Sequence, residues 1–183
     1  MKKLILVAGI GALTAAGQAN ILVNPGFETG DMAPWVVGFS GGVDDWHVIA
    51  GGQSGAFSAT AAGNTQIRQD FAPVAGSDVS MISFWMMHPN SGSAPSAVDL
   101  FYDDFTFEEN LISSTTTEWE FFDVTSFVNT SKTLVAIGIW GYSSAGGDAD
   151  RTNLDDVDIE GVPEPASLLS LAGVSLLLLR RRR

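Results

Sequence analysis

From Asn20 to Val162 no apolar pattern of helical period lasts even three turns. Short runs rich in Val, Ile, Phe, Trp and Thr recur there instead, each bounded by Gly, Ser, Asn, Asp or Pro, and that punctuation admits short strands rather than helices. The runs are Trp46 to Ala50, Ala56 to Ala61, Gln66 to Phe71, Val79 to Met87, Ala97 to Tyr102, Trp119 to Val124, Thr133 to Trp140 and Asn153 to Glu160. They predict an all-β domain of two stacked antiparallel sheets. The chain of 183 residues, 45% of them hydrophobic, suffices for one such core and not for two.

Alternation along the runs assigns faces. In the last run Asp155, Val157 and Ile159 share one side, while Leu154, Asp156, Asp158 and Glu160 share the other, which must meet solvent or a cation. In Val79 to Met87 both sides are apolar, which predicts a central strand covered on both faces. Gly141 to Asp150, with Gly146-Gly147 and two acids, reads as a long loop before the final strand.

Charge narrows the partners. Residues 20–162 hold 20 of the 21 acids but only Arg68, Lys132 and Arg151 among the bases, a formal charge of −17. Nucleic acid and anionic membrane surfaces would be repelled, whereas carboxylates crowded in loops suit a hard cation such as calcium. No cysteine is present, so disulfides and thiolate chemistry are excluded.

The two ends differ from the middle. Met1 to Ala19 has a basic start at Lys2 and Lys3, an apolar run from Leu4 to Ala16 and a small-residue site ending at Ala19, the pattern of a helical secretory signal cleaved there. At the other end Val162-Pro163-Glu164-Pro165 precedes an apolar stretch, Ala166 to Leu179, and then Arg180, Arg181, Arg182 and Arg183. As a helix that stretch would reach roughly 21 Å, short of the roughly 30 Å hydrocarbon core, so a permanent anchor would be strained. The arginines would remain cytoplasmic, leaving the extended Pro-Glu-Pro segment at the outer face of the inner membrane for a processing enzyme. This end resembles the PEP-CTERM sorting signal. The resemblance implies recognition by an exosortase-type enzyme in a Gram-negative bacterium, transient inner-membrane association, and export to the cell surface or extracellular matrix. The expected organisation is therefore a signal peptide at 1–19, a β domain at 20–161 and a sorting signal at 162–183.

Four segments in order, N-P-G-F-E-T-G followed by Trp35, I-R-Q-D-F, E-W-E-F-F-D-V-T and N-L-D-D-V-D-I, resemble the galactose-binding-like jelly rolls, among them many carbohydrate-binding modules. The resemblance implies a jelly-roll sandwich and, in several such modules, a structural calcium between the opening and closing motifs. The matching positions are Glu28 and the pair Asp155 and Asp156. Solvated aspartates, with Glu28 capping a turn, would be the alternative.

Five tryptophans are available for stacking on sugar rings. Trp35, Trp85 and Trp119 sit within or beside apolar strand patterns and read as structural. Trp46, beside Asp44, Asp45 and His47, and Trp140, beside Tyr142 at the mouth of a polar loop, are the ligand candidates. Acid pairs such as Asp103-Asp104 and Glu108-Glu109 carry no geometry of a glycosidase dyad, and His47 and His88 have no nucleophile motif nearby. The expectation is a non-catalytic surface or biofilm-matrix protein gripping extracellular polysaccharide. A purely structural or adhesive matrix protein with no defined sugar ligand is the alternative, with a small glycoside hydrolase behind it.

Overall fold

A computed structural model of the protein describes residues 19–89, 95–114, 116–141 and 151–161. The proposed signal helix, the sorting segment with Pro163, Glu164, Pro165 and Arg180 to Arg183, and Tyr142 lie outside the described residues. Among the described residues eight strands follow in chain order: β1 (Val36–Ala50), β2 (Phe57–Ala75), β3 (Val79–Met87), β4 (Pro95–Tyr102), β5 (Phe107–Ser113), β6 (Glu120–Asp123), β7 (Thr133–Gly141) and β8 (Arg151–Gly161). No helix among the described residues is long and apolar enough to cross a membrane.

All strand pairings are antiparallel, in the order β5-β4-β7-β2-β8-β3-β6, with β1 paired along β2. The expected two sheets are thus one continuous curled sheet, because β2 belongs to both halves. Its residues Ala59 to Ala62 pair with β8, and from Thr65 onward it pairs with β7. The change of partner falls at Gly63, whose φ is +98°. A side chain there would strike Gly42 of β1, a Cβ lying 2.6 Å from its Cα, so only glycines let the β1–β2 ribbon turn the corner together.

Curling brings the inward faces of the two halves onto one core. Ile67, Val98, Leu100, Ile137 and Ile139 come from one half and Ile82, Phe84, Met86, Leu154, Val157 and Ile159 from the other, all within one buried cluster. Burying such side chains stabilises the fold by roughly 1.5–3 kcal/mol each. Outward positions of the same strands carry the polar and aromatic groups that form the candidate site.

The sequence expectations change in four places. The runs at Ala56 to Ala61 and Gln66 to Phe71 are one bent strand, β2, and β5 was not foreseen because its segment Phe-Glu-Glu-Asn-Leu-Ile-Ser keeps charge on an exposed edge, where acids discourage pairing with another chain. In β8 the simple alternation fails: Asp158 pairs with Ser83 but Asp155 with Trp85, so one extra residue is accommodated, with Asp156 at φ +47°. This bulge places Leu154 in the core together with Val157, rather than on the acidic side. Finally, β3 lies between β8 and β6 as a central strand, yet its outward residues Met81, Trp85 and Met87 are only half-buried, Trp85 leaning on Phe121 at 5.3 Å between ring centres.

Candidate functional site

Two groupings of polar side chains stand out, one clasping a loop and one on a sheet face. The opening motif builds the first. Asn24 and Phe27 both adopt positive φ, +52° and +58°, conformations that cost energy for residues other than glycine. Asn24 stabilises its turn with its side chain, donating to the carbonyls of Asp31 and Ala33 and accepting from the Thr29 N–H. Phe27 is fully buried beside Trp35, whose indole N–H donates to the Asn24 carbonyl. The tight turn aims Glu28 at the loop between β1 and β2.

There Glu28 accepts the backbone N–H groups of Ala56 and Phe57 at 3.0 and 3.1 Å. From β8, Asp155 accepts those of Gln53 and Ser54 through Oδ2 at 2.8 and 3.2 Å, and that of Asp156 through Oδ1. Two carboxylates far apart in sequence therefore hold one glycine-rich loop. Gly52 and Gly55 permit it, since a Cβ at either would collide with Asp155 or Glu28.

Burial pushes the Asp155 carboxyl up to about 6, with the neighbouring Asp156 charge adding to the rise and the N–H groups of Ser54, Asp156 and Gln53 opposing it. Asp156 is turned elsewhere, lining a cavity of about 260 Å³ with Asn20, Pro25, Val157 and Asp158. A Cβ on Gly26 would meet Asp156 Oδ1 at 3.0 Å, Asp155 Oδ1 at 3.4 Å and Glu28 Cγ at 3.8 Å, so all three side chains pass close to Gly26, the two aspartates with an oxygen and Glu28 with a methylene while its carboxylate binds the loop. In donor type they fit calcium, all three being carboxylates, with the two aspartate oxygens beside Gly26. Among the described residues, however, no three acidic or histidine side chains are grouped as a metal site, so an ion here would need backbone carbonyls as well.

The second grouping lies on the outward face of β1, β2, β7, β4 and β5. Register sets it out: Gln66 of β2 stands opposite Trp140 of β7, which stands opposite Ala97 of β4, while Arg68, Gly138, Asp99 and Glu109 form the next row. Trp140 donates its indole N–H to Asp99 Oδ2 at 2.7 Å, and the Gln66 amide donates to the same oxygen. Asp99 is 2% exposed, its other oxygen has no hydrogen-bond partner among the described residues, and burial holds its carboxyl above the usual range. The Trp140 bond opposes that rise, Glu109 adds to it and the Gln66 bond again opposes it. Asp99 is thus a brace beneath the face, fixing the edge of the indole and the amide of Gln66.

Phe39 of β1 lies 5.3 Å from Trp140, the two rings tilted by 46°, and is about half exposed. Gly138 gives room for this arrangement, because a Cβ there would come within 2.8 Å of Gln66 Nε2 and 3.1 Å of the Phe101 ring. Beyond Gly138 the Arg68 guanidinium lies 4.0 Å above the centre of the Phe101 ring. A cavity of about 300 Å³ opens there, lined by Arg68, Phe101, Tyr102, Asp103, Phe105, Thr106 and Val135. Trp140 and Phe101 sit four residues apart along adjacent strands, so the two aromatic stations are separated by roughly 13 Å.

Of the predicted ligand residues, Trp140 is on this face. Trp46 is a correction: it is 4% exposed, with its indole N–H bonded to the Thr65 carbonyl, and it serves the core. Its neighbours explain the misreading, since Asp44 and Asp45 do face out, Asp44 pairing with Arg151 at 2.9 Å. Trp35 is buried as expected, whereas Trp85 and Trp119 are half-buried. Phe39, Gln66, Arg68, Asp99 and Phe101 were not foreseen. One signal existed, an aspartate inside the otherwise apolar run Ala97 to Tyr102.

The same architecture recurs in solved structures. The chain superposes on the family 61 carbohydrate-binding module TmCBM61, solved in complex with beta-1,4-galactotriose, with a TM-score of 0.59 and 21% identity over 78% of this chain and 99% of the module. It matches a family 16 carbohydrate-binding module at 0.56 and 14% identity, over 76% and 99%. The K1 cleaved adhesin domain of Lys-gingipain from Porphyromonas gingivalis matches at 0.51 and 16%, over 75% and 96%. The fold is therefore that of carbohydrate-binding modules. No protein-family profile matches the chain, and no curated protein sequence does.

Proposed function

We propose that this is an exported, non-catalytic protein of the bacterial surface or biofilm matrix that binds extracellular polysaccharide through the Trp140 face. The observation that carries the reading is the pairing of Trp140 and Phe39 above a buried carboxylate, on a fold shared with carbohydrate-binding modules. Apolar ring faces with adjacent amide and guanidinium groups suit the C–H faces and hydroxyls of a pyranose. In affinity gels the full-length protein, kept in non-ionic detergent, is expected to be slowed by at least one neutral polysaccharide. Migration unchanged by every polysaccharide tried would overturn the reading. It would also favour the second one, a structural or adhesive matrix protein without a sugar ligand, which the likeness to an adhesin domain supports.

Delivery rests on the two ends. After cleavage behind Ala19, the Pro163-Glu164-Pro165 segment would be presented to an exosortase-type enzyme while Arg180 to Arg183 hold the apolar stretch at the inner membrane. Mass spectrometry of the native protein should find the peptide Ala166 to Arg183 removed. Its retention on the exported protein would refute processing there.

Calcium belongs to the same reading, with Glu28, Asp155 and Asp156 as the residues that would hold it. A bound divalent cation would keep Asp155 ionised against the burial that raises its carboxyl to about 6, and would offset the smaller repulsion from Asp156. Thermal melts should show a midpoint higher with millimolar calcium than with chelator, by about 3 kcal/mol of stability at a hundredfold excess over Kd. An unchanged midpoint would leave Glu28 and Asp155 as loop anchors alone.

A further inference from the structure

We propose that Asp70 sets the charge class of the glycan this face accepts, by occupying Arg68 so that uncharged chains are admitted and uronate- or sulfate-bearing chains are turned away. The inference rests on the polysaccharide reading above and concerns the same face.

Arg68 is the one base in the rows of residues that make up this face among the described residues. A guanidinium recognises a carboxylate or sulfate through its fork of parallel N–H groups. Here one edge of the group is engaged and its charge is matched: Nε and Nη2 both donate to Asp70 Oδ1, at 2.9 and 2.6 Å. The guanidinium also lies over the Phe101 ring, its central carbon 4.0 Å from the ring centre. Two residues apart on one strand, Arg68 and Asp70 project from the same face, so the partner is supplied by β2 itself and needs no movement of a loop.

The surroundings add to the exclusion. Asp99 beneath the face and Glu109 beside it bring the local acids, with Asp70, to three against one base. Residues 20–162 as a whole carry a formal charge of −17. An acidic polymer would meet repulsion at long range and, at contact, an arginine whose charge Asp70 already offsets, while uncharged chains lose nothing by either effect.

Affinity gels in low salt separate the outcomes, using β-1,4-galactan, xylan and agarose as neutral probes, and polygalacturonate and alginate as acidic ones. The wild-type protein should be slowed by a neutral polymer and run past the acidic ones unhindered. Asp70 is largely exposed, so Asp70→Ala and Asp70→Asn should fold with unchanged melting points. Both should strengthen binding to the acidic polymers roughly threefold to tenfold at low salt, an effect that fades above about 0.3 M salt, while neutral binding stays within twofold. Wild-type protein held by polygalacturonate or alginate as firmly as by a neutral chain would overturn this inference alone. So would Asp70 variants that leave acidic binding unchanged. Silence of wild type and variants on every gel would instead overturn the polysaccharide reading, and this inference with it.

Discussion

Replacing Phe27 by alanine should destabilise the fold by about 3–5 kcal/mol, read as a lowered denaturation midpoint at unchanged cooperativity. Phe27 is fully buried, its ring centre 5.8 Å from that of Trp35 with the planes tilted by 38°, so truncation leaves a cavity in the cluster shared by both halves of the sheet. The loss does not stop at the cavity. Phe27 holds a positive φ of +58°, and the buried ring keeps that turn in place; without it the turn is free to relax. Relaxation would withdraw Glu28 from the N–H groups of Ala56 and Phe57, loosening the loop that Asp155 clasps from the other side. In a domain of this size the fall in Tm should be roughly 10 °C or more. Glu28→Gln, which keeps the shape but weakens a charge-assisted contact at an exposed site, should cost far less, about 1 kcal/mol. A Phe27→Ala protein melting within 2 or so degrees of wild type, roughly the effect of a minor surface change, would refute the role given to the opening motif.

Trp140→Ala should weaken polysaccharide binding at least tenfold, the scale expected when a central aromatic anchor is removed from an interface. The same variant should leave the fold standing, because Trp140 is only partly buried and its ring lies outside the core cluster. Trp140→Phe separates two contributions. It keeps a stacking face but lacks the N–H that Asp99 accepts, so an affinity between that of Ala and wild type is expected. Trp46→Phe supplies the contrast: its ring is in the core and should change stability without a matching change in sugar affinity. Equal binding by wild type and Trp140→Ala would remove the face from consideration as the site.

The comparison of Trp46 with Trp140 shows where sequence reading stopped. Both are tryptophans next to polar residues, and composition around them is no guide to direction. Trp46 points inward because β1 carries register shifts on either side of Asp44, which break the two-residue alternation that would have been used to orient it. Trp140 lies in β7, whose pairing with β4 is regular from Ser96 through Phe101, and its outward direction follows from the buried Ile137 and Ile139. β8 repeats the lesson, since the bulge at Asp156 moved Leu154 from the acidic side to the core.

By itself the sequence determined that strands build the described residues around one core, and that residues 20–162 are strongly acidic and free of cysteine. Those properties are local: turn residues, alternation and charge act over a few positions and can be read in order. Tertiary structure alone decided that β2 joins both halves into one curled sheet, and that Glu28 and Asp155 meet at a loop 28 and 102 residues away from them. It also decided that Trp140, Gln66 and Asp99 share a face. Antiparallel pairing between distant strands depends on register, and register is set by bulges and by the fit of the whole core rather than by any one segment.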